Sequence, residues 1–357
     1  MTLPECLELA GTPVAIGRAH GLACRDAIRR YTAERVELCT EAAWAGQSLS
    51  RAAILDLAGR CLAEHEAYAP DLHAEMSAIA DACDLSPAEL LITNGFTDFI
   101  DLLYRQGGAA ATRAEDDCTA FFVPGGASAD GHALLGQTWD MHAGALPYVL
   151  MLRARPAEQP AFLAFTVAGC VGMIGMNDAG IAIAINNLLG SGGQVGVTWP
   201  FVVRKVLQQR DIESALACIT SARLAGAHNY LLLDRAGEGV NVEAMPGYSH
   251  VVRSRRETLV HSNHCLTSET AARCRERLPD SQRSSESRLA RAARLLDGGR
   301  TSVGDLIALT GDPEICVRRK PPLEMETCGA AIMQPATGRM WAVRGMPGPH
   351  AFVEYQV

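Results

Sequence analysis

Cys118 is the first residue whose position suggests chemistry: it stands where a small, polar, unpatterned stretch, Arg105 to Asp117, gives way to the apolar run Thr119–Val123. A thiol at the end of an element is reachable, whereas one in mid-element is normally an inert, buried hydrophobe. The turn-forming run Gly125-Gly126-Ala127-Ser128-Ala129-Asp130-Gly131 then separates two strand-like segments. A hairpin centred near Ala129 sets residue 118 opposite residue 140, which is the aspartate of Gly136-Gln137-Thr138-Trp139-Asp140. Asp140 is thereby a neighbour for the thiol, or else a strand-end carboxylate capping a turn. A third cluster is His261-Ser262-Asn263-His264-Cys265, where strand alternation puts His261, Asn263 and Cys265 on one face. Two chemistries fit it: a metal set of His261, His264 and Cys265 with His142 in reserve, or Asn263 as a side-chain amide that donates to a developing oxyanion. The strand geometry turns His264 away from its neighbours, which favours the amide.

Elements of two kinds must position these groups. From about Ile16 to Tyr104 the chain reads as helices: Arg18–Ala43, Arg51–Ala67, Asp71–Cys83, and a last one opened by the capping box Ser86-Pro87-Ala88-Glu89. Beyond residue 118 short β-type runs follow in hairpin-length succession, at Thr119–Val123, Ala133–Trp139, Val149–Ala154, Phe162–Val167, Gly180–Asn186 and Tyr230–Leu233. Later strands are expected at Val240–Ala244, Ser249–Val252, Thr258–Ser262, Gly329–Gln334, Met340–Val343 and Ala351–Tyr355. Helices are expected at about Trp199–Gln209, Ile212–Ser221, Ser285–Leu296 and Val303–Thr310, and mobile loops at Gly190–Gly196 and Pro279–Ser285. Gly169–Gly180 reads as a tight turn, and Arg283, Arg288, Arg291 and Arg294 as a solvated helix face. Strands in sequence with helices in groups indicate antiparallel sheets with helical layers outside, and no doubly wound sheet.

Composition removes whole classes. The chain has 357 residues, 48% hydrophobic and 20% charged, with 32 basic and 40 acidic residues and a net charge of −8. That balance disfavours nucleic-acid and anionic-membrane partners. Lys205 and Lys320 are its two lysines, so Schiff-base and P-loop chemistries have almost no candidates. The twelve cysteines are scattered without a C-x-x-C, no run is long and apolar enough to span a membrane, and the first ten residues carry Glu5 and Glu8 with no basic n-region. A soluble cytoplasmic protein with reduced thiols is the expectation.

Taken together, Cys118-Thr119, Gly136-Gln137-Thr138-Trp139-Asp140 and Val260-His261-Ser262-Asn263-His264-Cys265-Leu266, in this order and spacing, resemble the acyl-coenzyme A:isopenicillin N acyltransferase family, the autoproteolytic cysteine group of N-terminal-nucleophile (Ntn) hydrolases. Gly175-Met176-Asn177-Asp178-Ala179-Gly180, His228-Asn229-Tyr230-Leu231-Leu232 and Ile315-Cys316 add to the likeness. The resemblance implies an α+β, four-layer αββα sandwich with two antiparallel sheets between helical layers. It implies self-cleavage at Asp117–Cys118, with residues 1–117 kept as a mostly helical partner of the catalytic part 118–357, an αβ heterodimer from one chain that can assemble further. It assigns Cys118 as the nucleophile of an acyl-enzyme, Asp140 to orient its freed amino group, and Asn263 to the oxyanion. Thr119, His142, His228 and His261 are candidates for the substrate's surroundings. The substrate would be an N-acyl amide or acyl thioester, with no cofactor beyond a coenzyme A thioester as acyl donor, and no metal, nucleic acid or membrane. The other two readings are a metal-dependent hydrolase on His261, His264 and Cys265, and a non-catalytic binding protein. Three positions depart from the family pattern: Asp117 stands where it has glycine, Cys328-Gly329-Ala330-Ala331 where it has an arginine, and His228-Asn229 where a serine precedes the strand.

Overall fold

The computed structural model describes residues 3, 5–42, 48–107, 117–318 and 324–357. Two β-sheets lie face to face between two layers of helices, the αββα arrangement that the resemblance implies. The larger sheet has eight strands in the order β1-β4-β5-β6-β7-β8-β9-β10. These are β1 Cys6–Gly11, β4 Val149–Pro156, β5 Phe162–Val167, β6 Ile174–Asn177, β7 Ile181–Leu188, β8 Ala227–Asp234, β9 Gly239–Met245 and β10 Tyr248–Ser254. The smaller has six, β11-β2-β3-β12-β13-β14, formed by Leu259–His261, Thr119–Val123, Leu134–His142, Met325–Gln334, Arg339–Arg344 and Val353–Gln356. The pairings are antiparallel except at β1, which runs parallel to β4. The mostly helical segment 1–117 therefore includes a strand, ahead of the helices expected from about Ile16, and that strand is built into a sheet otherwise made from residues beyond 118.

The outer layer on the large sheet holds α1 Pro13–Thr40, α2 Arg51–Tyr68, α3 Pro70–Ala82, α4 Pro87–Thr93, α5 Phe96–Gly107, α6 Trp199–Val206 and α7 Ile212–Thr220. The short α8 is Ser268–Ala271, and α9 Pro279–Leu296 and α10 Val303–Thr310 cover the small sheet. The local signals account for these starts. Thr12 accepts from the Ala15 amide ahead of Pro13, and Ser86 and Glu89 close the expected capping box. Pro279 opens α9, so residues 279–285, expected as a loop, are its first two turns. Residues 169–180, expected as a turn, contain β6, a strand too short for a period-two signal. The Gly190–Gly196 stretch is irregular, with Gly190 bridged to Cys274.

Alternation along β2 divides the interior in two. Ala120 and Phe122 join the core between the sheets, while Phe121 and Val123 pack with Ala292 and Leu296 of α9 and Leu306 and Leu309 of α10. Both faces are buried, which is why β2 reads as a continuous apolar run. Gly136 on β3 is required by this packing: a Cβ there would meet the Phe121 ring at 2.6 Å and the Ala331 carbonyl oxygen at 2.9 Å. Among the described residues no helix is long and apolar enough to cross a membrane. All twelve cysteines are free thiols, and most are buried.

Candidate active site

Cys118 lies just ahead of β2 with its side chain in the core between the sheets, 1% exposed. The observed register pairs Thr119 with Thr138, one residue from the hairpin arithmetic. Because strand faces alternate, that slip puts the Asp140 side chain on the other face from the thiol. The Cys118 Sγ instead approaches the Asp140 carbonyl oxygen at 4.0 Å. Asp140 joins the site through Thr138, whose hydroxyl accepts from the Thr119 amide (3.2 Å) and donates to Asp140 Oδ2 (3.4 Å).

The hub of the site is a residue that the sequence reading assigned to solvent. Arg288 is 2% exposed and enters from α9. Its Nη1 donates to the Cys118 carbonyl oxygen (2.7 Å) and to Thr119 Oγ1 (2.9 Å). Its Nη2 donates to Asp117 Oδ1 (3.0 Å) and to Asn263 Oδ1 (3.1 Å). One guanidinium thus grips both residues of the Asp117–Cys118 peptide and the candidate oxyanion donor. The four arginines on α9 do not share a face. The buried stripe is Ser281, Ser285, Arg288, Ala292 and Leu296, at helical spacing, while Arg283 and Arg294 lie outside it and pair with Asp280 and Glu314. Reading α9 from residue 279 instead of 285 would have disclosed that stripe.

The remaining candidates separate into groups. Asn263 is 1% exposed; its amide N–H is received by Ser285 Oγ (2.9 Å), and its carbonyl oxygen accepts from Arg277 (2.9 Å). The bond from Arg288 fixes its side-chain oxygen, so Nδ2 points the other way and donates to the Asn187 carbonyl oxygen at 3.2 Å. Asn187, on β7, had no sequence signal. Strand β11 ends at His261, so the alternation expected to carry His261, Asn263 and Cys265 stops there. His261 instead binds Glu243 of the opposite sheet, Nε2 to Oε1, at 2.8 Å, and its Nδ1 faces the Ser262 carbonyl oxygen. Burial pushes Glu243 upward, but bonds from His261, Thr270 and the Leu266 amide hold its carboxyl below the usual range. His264 turns to Ser285 (2.8 Å), and Cys265 faces Cys274, with 3.4 Å between the sulfurs. The metal set therefore does not converge, and no group of three or more metal-ligating side chains occurs among the described residues. His142 closes β3, where its Nδ1 accepts from the Gly144 amide. His228 lies on β8, bonded to Thr97 of α5 (3.2 Å) with Asp98 at 3.4 Å. A cavity of about 340 Å³ opens beside Asn263, walled by Leu188, Leu189, His264, Cys265 and Arg277. Cys118 is not among the residues that line it.

Asp140 is fully buried, and burial pushes its carboxyl up to about 8; the Asp117 charge adds to this, while Arg288 and the Thr327 and Thr138 hydroxyls oppose it. Burial thus favours the protonated form of residue 140 in the folded chain. Between its ordinary value of 3.8 and about 8 the unfolded chain binds fewer protons there than the folded one. Stability must fall as pH rises through that window. In an uncut Cys118→Ala background, Asp140→Asn is expected to flatten this fall, so that the variant exceeds its parent in urea resistance at pH 7.5 but not at pH 4. Identical pH slopes would contradict the buried protonated acid.

The model of the acyl-coenzyme A:6-aminopenicillanic acid acyl-transferase family matches residues 127–348, and the chain belongs to that family of acyl-transferring enzymes. The matched segment contains Asp140, Asn263 and Arg288 and begins downstream of Cys118. The chain is 26% identical over 293 residues to the acyl-coenzyme A:6-aminopenicillanic-acid-acyltransferase 40 kDa form of Emericella nidulans, covering 81% of this chain and 76% of that protein. Among solved structures it is similar to penicillin V acylase from Agrobacterium tumefaciens, at 15% identity and a TM-score of 0.48 over 67% of this chain and 86% of that one. It is also similar to a mutant conjugated bile acid hydrolase from Clostridium perfringens, at 13% identity and a TM-score of 0.48 over 67% and 92%.

Proposed function

We propose that the chain is a self-processing N-terminal-cysteine amidohydrolase or acyltransferase that acts on small N-acyl amides or acyl thioesters through a Cys118 acyl-enzyme. The observation that carries this reading is the convergence of Arg288 on Asp117, Cys118, Thr119 and Asn263. With both residues of that peptide bonded to one guanidinium, the thiol of Cys118 attacks the Asp117 carbonyl carbon. The C–N bond then breaks, the Cys118 nitrogen takes the thiol proton, and a thioester links residues 117 and 118. Water hydrolyses the thioester, returning the thiol and leaving a carboxylate on Asp117. Because β1 is already part of the large sheet, residues 1–117 stay bound as the smaller half of an αβ heterodimer.

Cleavage gives Cys118 an α-amino group whose usual pKa, ~8, suits a general base at neutral pH. In turnover that amine takes the thiol proton, and the thiolate attacks the substrate carbonyl. The second N–H of Asn263 Nδ2 receives the oxyanion, and the departing amine leaves with the proton. Asp140, linked through Thr138 to the start of β2, then faces the new ammonium, which draws its carboxyl toward the charged form. No cofactor enters these steps; a coenzyme A thioester is an acyl donor of the right chemistry. A cavity of about 340 Å³ beside Asn263 suits a small ligand. Whether water or an amine resolves the thioester depends on which of them the pocket admits.

The test is the adduct. Brief exposure to an activated acyl thioester should add one acyl group, on the peptide that begins at Cys118, and added hydroxylamine should discharge it. Acylation elsewhere, or none with a broad panel of amides and thioesters, would overturn the reading. Asn263→Ala, in correctly cleaved protein, is expected to lower kcat by ~10²–10³-fold. A kcat near that of the parent would remove the oxyanion role.

A further inference from the structure

Two thiols stand together in the wall of the cavity beside Asn263. The sulfurs of Cys265 and Cys274 are 3.4 Å apart, and both residues line that cavity with Leu188, Leu189, Asn263 and Arg277. Each is half-buried, so a small molecule that enters the cavity meets the pair.

The backbone on either side is braced. Next to Cys265, the Leu266 amide donates to Glu243 Oε1 at 2.6 Å. Cys274 bridges to Gly190, and the Arg275 amide donates to the Leu189 carbonyl oxygen at 2.7 Å. Between the two cysteines, α8 is tied down through Thr270, whose hydroxyl donates to Glu243 Oε2. Thiols held in contact by such a frame lose little further freedom on joining. The contact also gives them different roles. The Cys274 thiol beside it holds Cys265 below its ordinary value, against the effect of burial. The same contact, together with burial, pushes Cys274 up. Cys265 is therefore the readier thiolate, and Cys274 keeps its proton.

We propose that Cys265 and Cys274 are a site of reversible oxidative modification: a hydroperoxide converts them to a disulfide, which narrows the cavity beside Asn263 and weakens substrate binding there. In the first step the Cys265 sulfur attacks a peroxide oxygen. The S–O bond forms, the O–O bond breaks, and the leaving hydroxide takes the proton of Cys265 as water. The Cys274 sulfur then displaces the hydroxyl of the Cys265 sulfenic acid. The S–S bond forms, the S–O bond breaks, and the hydroxyl leaves with the Cys274 proton as a second water. Hydrogen peroxide is thus reduced to two waters while the two thiols give up two electrons and two protons. The sulfurs move from 3.4 Å to ~2.0 Å, which draws two parts of the cavity wall together two residues from Asn263. The disulfide needs nothing from Cys118; its effect on turnover rests on the acyl chemistry proposed for that residue.

Uncut Cys118→Ala protein, treated with a small excess of hydrogen peroxide and digested with trypsin without reduction, tests the chemistry. Trypsin cuts between the two cysteines at Arg273, so the disulfide joins peptide 257–273 to the dipeptide Cys274-Arg275. That pair should be the main cross-linked product and should separate in dithiothreitol. Dimedone, which traps sulfenic acids, should label Cys265 in Cys274→Ser and leave Cys274 unlabelled in Cys265→Ser. Oxidation that falls on other cysteines while these two stay open to alkylation would overturn the proposal.

Kinetics of cleaved protein test the consequence, with alkylation of the digest used to select preparations in which Cys118 remains a free thiol. Oxidation should raise KM ~fivefold or more with kcat within ~twofold, and dithiothreitol should restore it. Cys274→Ser, compared with its own reduced form, should change by less than ~twofold. An unchanged KM in protein whose 265–274 disulfide is complete, or an equal change in Cys274→Ser, would overturn the narrowing. The two proposals fail separately. A chain that forms the disulfide but turns over no amide or thioester keeps the dithiol site and loses the acyl reading. Turnover in a chain that never forms the disulfide does the reverse.

Discussion

Cys118→Ala is expected to yield a single uncut chain of 38.1 kDa with no amide or thioester turnover. The two losses share one cause. In the proposed mechanism the thiol is the nucleophile toward the Asp117 carbonyl before cleavage and toward the substrate afterwards, and the amine proposed as base exists only once the chain is cut. The effect on the fold should be small, since the replacement removes one sulfur from the inter-sheet core and leaves the Arg288 contacts to Asp117, the residue 118 carbonyl and Thr119 in place. Efficient cleavage at the same bond in this variant, seen by intact mass, would end the thiol mechanism.

Arg288→Met is expected to be the most damaging single change on α9. It strips a donor from four acceptors at once and removes one member of the buried Arg288–Asp117 ion pair. Removing one member of a buried pair costs ~3–5 kcal/mol, a large part of the stability of an ordinary domain. Self-cleavage should slow by ~10²-fold or more in whatever fraction folds, because the scissile peptide and Asn263 are no longer held together. Arg288→Lys should restore much of the stability and little of the rate, since an ammonium supplies charge without the planar fork that spans residues 117, 118, 119 and 263. Urea unfolding and a time course of cleavage measure the two effects. A methionine variant that folds and cleaves like the parent would remove Arg288 from the site.

The sequence disclosed a good part of this. Strands β2, β3 and β5 and helices α6 and α10 were legible because caps and apolar runs are local signals, whereas the helix expected to run from the Ser86 capping box to near Tyr104 stops at Thr93 and resumes as α5 at Phe96. Cys118, Asp140 and Asn263 stood out from element ends and motif spacing, and the structure brings them around Thr138 and Arg288. What stayed hidden was non-local. The parallel partner of β1 is set by a strand far along the chain, and burial of Arg288 depends on where α9 begins, which Pro279 marks only when read as a first helical residue. The one-residue slip in the β2–β3 hairpin follows from turn geometry at Gly125–Gly131, too fine for arithmetic on strand ends, and it moves Asp140 to the opposite face from the thiol. Glu243, partner of His261, lies across the sandwich on another sheet, so neither residue announces the other.

Intact mass and N-terminal sequencing of the purified protein under denaturing conditions bear most directly on the central claim. Two fragments are expected, the second beginning Cys118-Thr119-Ala120, which together account for the whole 38.1 kDa chain and migrate as one particle when native. An active preparation that remains a single uncut chain over days would contradict the account, because no freed amine would then stand beside the thiol.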